Sequence, residues 1–325
     1  MTGNAELLRK ADLVLSDLSN NGGLLQPEDS ASCIRKLIKP TALIGQVRVV
    51  EMLAPQRKIN KIGFGSRIMR KATSGTALTQ NQRSKPTTEV ITLSTKEVIA
   101  EVRLPYDVLE DNIERAQAAT NSASNTGAQG GLKDTLIALI ADRAALDLEE
   151  LGLLGDTTYT NGGDQDDQDY LSMFDGWLKL AGTSNTVDAG NVTVTKTLFR
   201  DGMKAMPVQY LRNKGTMAHF VSQNNEIMYR DTLADRVGGL GDSMVTGTNP
   251  VPAFGVPVRP VPLLPDDKGF FGDPMNLIFG IQRQVSMEFD KDITSRVYII
   301  VLTARVAFQV EETLALVKYT NIAAS

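Results

Sequence analysis

The residue types that carry most enzyme chemistry are sparse in this chain. His219 is the sole histidine and lies in the strand-like run MAHFVS at 217–222. A metal site or proton relay needs partners at defined spacing. His219 has none, so a structural or surface role is expected. Cys33 is the sole cysteine, with apolar helical neighbours and no CxxC companion, and reads as a small buried hydrophobe. The run DQDDQD from Asp164 to Asp169 has the acid density of a calcium loop. Yet Gln168 stands at a ligand position and Asp169 where glycine must permit the turn. Gly63-x-Gly65 lacks the third glycine of a dinucleotide fingerprint, and neither a phosphate loop nor a G-x-S-x-G elbow occurs. No catalytic, cofactor-binding or metal-ligating set is expected, and a metabolic hydrolase finds no positive support.

The chemistry that does cluster is charge. Between Met52 and Thr88 there is no acidic residue, while Arg57, Lys58, Lys61, Arg67, Arg70, Lys71, Arg83 and Lys85 are all basic. From Asp134 to Asp175 there are eleven carboxylates and a single basic residue, Arg143. Three readings of the basic segment stand open: a solvated loop, a nucleic-acid contact and a contact between subunits. Phe64 is its only aromatic residue between 57 and 85, which disfavours a stacking platform for single strands. A basic projection and an acidic body in one chain suit a head-to-tail contact between identical copies. The expected contacts set Arg67, Arg70, Lys71, Arg83 and Lys85 against Asp142, Glu149, Glu150 and Asp156 of a neighbour.

Elements must position these charges. Residues 132–154, LKDTLIALIADRAALDLEELGLL, predict a long helix with Leu132, Leu136, Ile140, Ala144 and Leu148 on one face. Asp142, Arg143, Glu149 and Glu150 fall opposite, and Arg143 with Asp147 has the spacing of a surface ion pair contributing about 0.3 to 0.5 kcal/mol. Leu136, Ile140 and Leu148 are expected inside, and Asp142, Glu149 and Glu150 accessible. Glycines 127, 130 and 131 precede the helix; Gly152 and Gly155 end it.

Upstream, residues 4–19 have a weak helical period, stopped by Asn20 to Gly23, and LLQP at 24–27 leads into a short amphipathic run ending at Pro40. Val47 to Val50 is a β-type run. From Glu97 to Leu104 apolar and charged residues alternate, the period of a half-buried strand ending at Pro105. With the polar stretch ATSGTALTQNQRSKPTT between them, these strands predict an extended hairpin that projects and packs on a partner. Tyr106 to Ala119 is a helix candidate.

From Phe174 an α/β region is expected. Thr195 would cap a helix through Leu198, Phe199, Met203 and Met206, with a strand at 217–222 and a helix at 224–236. Six prolines between 250 and 265 exclude helix there. Leu277 to Gln282 and Val285 to Phe289 read as paired strands, and Val297 to Lys318 as further strand, with the terminal strands returning to the sheet of the first domain.

With 325 residues, 42% apolar and 22% charged, the chain can bury a sizeable core. Its formal net charge of -4 gives no global drive toward nucleic acid. One cysteine cannot form an intramolecular disulfide, which fits a reducing cytoplasm or a fold that needs no staples. The first residues have no basic-then-apolar signal pattern, and the longest strongly apolar run, Val297 to Leu302, is too short to span a bilayer.

Taken in order, the chain resembles the major capsid proteins of tailed bacteriophages with the Hong Kong 97-type fold. The resemblance rests on LLQPE at 24–28, RVV at 48–50, TLSTKEVIAEVRLPYDVLED at 92–111 and the helix closing in GD at 155–156. It continues with FDGW at 174–177, FGVPV at 254–258 and RVAFQVEETLALVKY at 305–319. It implies an α+β fold in five parts. These are an N-terminal arm and first strand (1–50), an extended β-hairpin loop (51–105), a peripheral domain with the spine helix (106–174), an axial α/β domain (175–290), and C-terminal strands returning to the peripheral domain (291–325). It further implies hexamers and pentamers closing into an icosahedral shell around double-stranded DNA. The protein would belong to the virion and be assembled in the host cytoplasm, with portal and decoration proteins as partners and no membrane. Some relatives cross-link a loop lysine to a neighbour's asparagine; neither Lys71 nor Lys85 aligns with that lysine. The arm begins almost at Met1, which suggests a separate scaffold. An encapsulin-like nanocompartment enclosing a cargo enzyme is the alternative within the same fold.

Overall fold

A computed structural model describes residues 43–64, 67–69, 71, 75, 77–105, 132–160, 164–183, 185–235 and 250–323. The readings at 4–40, at 106–119, at Cys33 and at Arg70 lie outside these residues, as does the side chain of Leu136. In chain order the strands are β1 (Arg48–Glu51), β2 (Gln56–Gly63), β3 (Thr87–Ser94) and β4 (Lys96–Pro105). Then come helices α1 (Leu132–Leu154), α2 (Gln165–Leu171) and the single turn α3 (Trp177–Leu180). β5 (Thr186–Val192), α4 (Lys196–Ala205), β6 (Ala218–Val221) and α5 (Gln223–Ala234) follow. The chain continues with β7 (Pro252–Ala253), β8 (Val256–Pro260), β9 (Gly269–Gly272), β10 (Leu277–Asp292), β11 (Val297–Val310) and β12 (Leu316–Ile322).

Three sheets result: a four-stranded sheet in the order β1-β10-β11-β4, a six-stranded sheet β5-β12-β9-β6-β8-β7, and the ribbon β2-β3. The helix α1 has the predicted bounds and carries the Arg143–Asp147 pair at 2.7 Å. Its Ile140 and Ala144 pack on Leu104, Ile300 and Leu302 of the four-stranded sheet. Near its end Gly152 sits under two rings, where a Cβ would meet Phe308 at 2.8 Å and Trp177 at 3.1 Å. The backbone then crosses itself, with Gly176 N–H donating to the Gly155 carbonyl at 2.7 Å.

Four expectations change. The hairpin is built from Gln56–Gly63 and Thr87–Ser94, while the run at 47–50 pairs parallel with β10 and the alternating strand at 96–105 lines the edge of the same main sheet, paired with β11. Period-two alternation signals a half-buried strand without saying which sheet half-buries it. Residues 277–292 form one long strand, irregular between Ile281 and Ser286, paired throughout with β11. Leu316–Ile322 does not return to the sheet of the first domain: it lies inside the six-stranded sheet, parallel to β5 and antiparallel to β9. A turn at 313–315 breaks the β run and redirects the chain. Finally, Phe174 and Trp177 do not open a separate core, because both rings stack edge-on against Phe308 of β11 at 5.4 Å.

One apolar cluster joins the four-stranded sheet, α1 and one face of the six-stranded sheet, through Leu151, Trp177, Phe220, Phe270 and Phe308. The other face of the six-stranded sheet is covered by α4 and α5, through Phe199, Tyr229, Phe271 and Tyr319. Each sheet is thus buried where its alternating apolar residues point.

Candidate assembly surface

The arm is the ribbon β2–β3 with its tip at 64–86. Register pairs Ile59 with Ile91, Arg57 with Leu93 and Lys61 with Glu89 on one face. From this face Ile59, Ile91 and Leu93 settle on Val50, Met52, Ile278 and Ala307. Gly280 makes the seat, since a Cβ there would lie 2.9 Å from Met52 Sδ and 3.1 Å from Leu93. The opposite face has no such cover: Ile62 is 69% exposed and Val90 55%. At the tip Phe64, Ile68, Leu78 and above all Met69, 92% exposed, stand in solvent. An isolated two-stranded ribbon is marginal in water. The arm is therefore held at its root and by local bonds at its tip. Thr79 and Gln82 cap one another across a short turn, Arg83 Nε donates to the Leu78 carbonyl at 3.2 Å, and Ser84 Oγ to the Arg67 carbonyl at 3.0 Å.

Arg67, Lys71, Arg83 and Lys85 are all exposed. Among the described residues no carboxylate of the same chain pairs with them. Two cations of β2 differ: Arg57 donates to the Glu51 carbonyl at 2.6 Å, and Lys61, near the outer end of the strand, is bound to Glu312.

The four acids part company. Asp142 is exposed and Glu150 half-buried. Burial, and next the neighbouring Asp147 charge, push the Glu150 carboxyl up. Asp156 accepts from Thr158 Oγ1 at 2.6 Å and pairs with Lys179 at 2.9 Å, bonds that hold its carboxyl down at about 2. Glu149 overturns the expectation of an accessible face. It is 1% exposed, and its Oε2 accepts the backbone N–H groups of Leu43 at 3.1 Å and Ile44 at 3.3 Å. The segment preceding β1 crosses the helix there and turns its polar side into an interior.

Of the residues weighed for chemistry, Asp164 and His219 have partners within the fold. Asp164 is the N-cap of α2, accepting from the N–H groups of Asp166 and Asp167, which accounts for the acidic run. Among the described residues no three His, Cys, Asp or Glu side chains gather as a metal site. His219 is fully buried, with Nδ1 2.9 Å from the Tyr319 hydroxyl, its ring stacked on Phe271 and Nε2 without a partner among the described residues. Burial depresses it to about 3, so it is a neutral core residue at physiological pH.

Two features escaped the sequence. An apolar groove of about 170 Å³ runs between α1 and the sheet edge, lined by Val98, Ala144, Leu148, Tyr170, Met173 and Ala304. And a pair of acids, Glu311 and Glu312, sits in the turn between β11 and β12, where Arg48 reaches Glu311 at 2.9 Å. The doublet EE interrupting two β runs was the available signal.

No protein-family model matches the chain. It is 38% identical over 331 residues to YqbE of Bacillus subtilis (strain 168), whose name marks it as a prophage capsid protein, covering 98% of this chain and 99% of YqbE. Solved structures share the fold at low identity. The satellite phage P4 procapsid matches with a TM-score of 0.62 and 13% identity, over 99% of this chain and 96% of that one. The SrpI encapsulin of Synechococcus elongatus PCC 7942 matches with a TM-score of 0.55 and 12% identity, over 96% and 97%.

Proposed function

The chain belongs to the family of phage capsid proteins, and from that premise we propose that its copies assemble through hexamers and pentamers into an icosahedral shell enclosing double-stranded DNA. The fold proposed is of the Hong Kong 97 type. The ribbon β2–β3 would be its extended loop, α1 with the four-stranded sheet the peripheral unit, and the six-stranded sheet the axial unit. The strands β10 and β11 count with the peripheral unit and β12 with the axial one, in keeping with their pairing. Portal, scaffold and decoration proteins would be its partners in the virion, with assembly in the host cytoplasm.

The observation that carries this reading is the arm. Apolar side chains and unpaired cations on a projection that has no core of its own favour a covering surface supplied by another molecule. The outward carboxylates of α1, Asp142 and Glu150, give an identical copy the complementary charge. Glu149 leaves the proposed contact set because its carboxylate is used inside the subunit, and Asp156 contributes only what its bond to Lys179 leaves free.

Electron microscopy of the purified protein tests this. Closed shells, or rings of five and six, are expected; monomers alone under every assembly condition would overturn it. The likeness to an encapsulin supports one second reading, a nanocompartment enclosing a cargo enzyme. Nucleic acid recovered from nuclease-treated shells favours the capsid, and a co-purifying protein cargo without nucleic acid favours the compartment.

A further inference from the structure

Three parts of the molecule converge on two adjacent residues. Glu311 and Glu312 occupy the turn that carries the chain from the four-stranded sheet to the six-stranded sheet. Asn276 fixes that turn from below: its carbonyl accepts the Glu311 N–H at 2.9 Å, its Oδ1 accepts the Glu312 N–H at 2.8 Å, and its Nδ2 donates to the Glu312 carbonyl at 2.8 Å. Onto this turn come Arg48 from β1, paired with Glu311, and Lys61 from the arm, paired with Glu312. Tyr210, from the segment between α4 and β6, lines one cleft with Glu312. The site opens on this cleft of about 360 Å³, whose wall includes Asp273 and Thr216.

The position of Lys61 along the arm gives the pair its effect. The ribbon leaves the body at Pro55 and Thr95, where Thr95 N–H donates to the Pro55 carbonyl and Thr95 Oγ1 to Gln282 Oε1. Lys61 lies six residues farther out, about 20 Å at roughly 3.3 Å per residue. The apolar seat of Ile59, Ile91 and Leu93 holds the inner ribbon on the body, and the Lys61–Glu312 pair adds a charged contact two residues beyond Ile59, between that seat and the tip. Lys61 also has a second carboxylate within reach. Its cross-strand partner Glu89 stands 3.5 Å away on the arm itself, mostly in solvent, whereas Glu312 is largely enclosed. Burial lowers the Lys61 ammonium, but the Glu312 carboxylate outweighs it and the net direction is up. One ammonium between a carboxylate on the body and another on the arm can hold the arm down or leave with it.

We infer that Lys61 and Glu312 form a charged latch that sets the angle of the arm, with Glu89 as the partner Lys61 keeps when the latch opens. The inference concerns the chain itself and does not depend on what the arm contacts.

Electron–electron distance measurement tests it. Spin labels are placed at Asn81→Cys on the tip and Lys204→Cys on α4, in a Cys33→Ser background. Labelled chains are diluted in excess unlabelled protein, so that only distances within one chain are read whether or not shells form. One narrow distance peak is expected for the parent and for Glu89→Gln. Lys61→Met and Glu312→Gln should each lose that peak to a broad or displaced distribution, and Lys61→Glu with Glu312→Lys should restore it. Because Glu312 also accepts the Leu314 N–H, Lys61→Met is the decisive variant. A peak unchanged in Lys61→Met would overturn the latch.

Discussion

Glu149 and Leu43 lie 106 residues apart, and the carboxylate of one holds the buried backbone N–H of the other at 3.1 Å. This bond ties the start of the described chain to the long helix. Glu149→Ala leaves the buried Leu43 N–H and the half-buried Ile44 N–H without this acceptor, at a cost of about 1 to 3 kcal/mol for an unsatisfied buried group. Glu149→Gln keeps an accepting oxygen and should lose less. Urea unfolding of both variants, read as midpoints with unchanged slope, checks the order.

Gly152→Ala should be among the most damaging single-methyl changes in α1. The added carbon meets the Phe308 ring at 2.8 Å, and that ring is wedged between Phe174 and Trp177. Overpacking of this kind costs about 1 to 3 kcal/mol, although alanine is the better helix former. A raised thermal midpoint would show that the rings have room to move.

His219 predicts a loss of stability in mild acid. The folded chain keeps this ring neutral down to about pH 3, while the unfolded chain protonates it near 6.5. Between those values the unfolded state binds a proton that the folded state refuses. Stability therefore rises with pH across the window and drains away as pH falls, by on the order of 4 kcal/mol at its acid end. His219→Phe should lower stability at pH 7 by leaving the Tyr319 hydroxyl unpaired, yet flatten the dependence between pH 6.5 and 4. Thermal midpoints of both proteins, compared only above pH 4 where Asp156 stays ionised, isolate the term.

Charge reversal at Arg67, Lys71, Arg83 and Lys85, with Arg70 as a fifth position, should slow assembly about tenfold at low salt, at about 0.2 to 1 kcal/mol per exposed pair. The defect should vanish near 1 M salt, where the screening length is about 3 Å. Adding Asp142→Lys and Glu150→Lys should recover part of the rate. Light scattering follows all three, and equal rates at every salt concentration would remove the electrostatic contribution.

The legible parts of this chain were those whose cause is local. The helix α1 shows its full length because an apolar residue recurs along one face from Leu132 to Leu148 and glycines bracket it. The projecting arm is visible as a stretch with little to bury. Thr87 to Ser94, TTEVITLS, is also rich in β-branched residues, but the more regular alternation of 97–104 drew the pairing to itself. Long-range placement was not visible. Glu149 sits on the polar side of the helical period, and only the crossing of residues 43 and 44 makes that side an interior. The acidic run at 164–169 was locally readable as a helix cap followed by a short helix. The placement of β12 depends on a turn at 313–315 whose direction no periodicity encodes.

That last placement bears on how the subunit comes into being. β12 lies between β5 and β9, so the link between the edge strand β5 and the rest of the six-stranded sheet is made by a segment that follows all its other strands in the chain. Until residues 316–322 arrive, β5 lacks its neighbour and Phe199 and Phe271 lack the Tyr319 side of their core. Such late, sequence-distant pairing is slow and leaves strand edges open meanwhile. A chain cut before residue 316 therefore cannot close this sheet, since β5 pairs with β12 alone among the described strands.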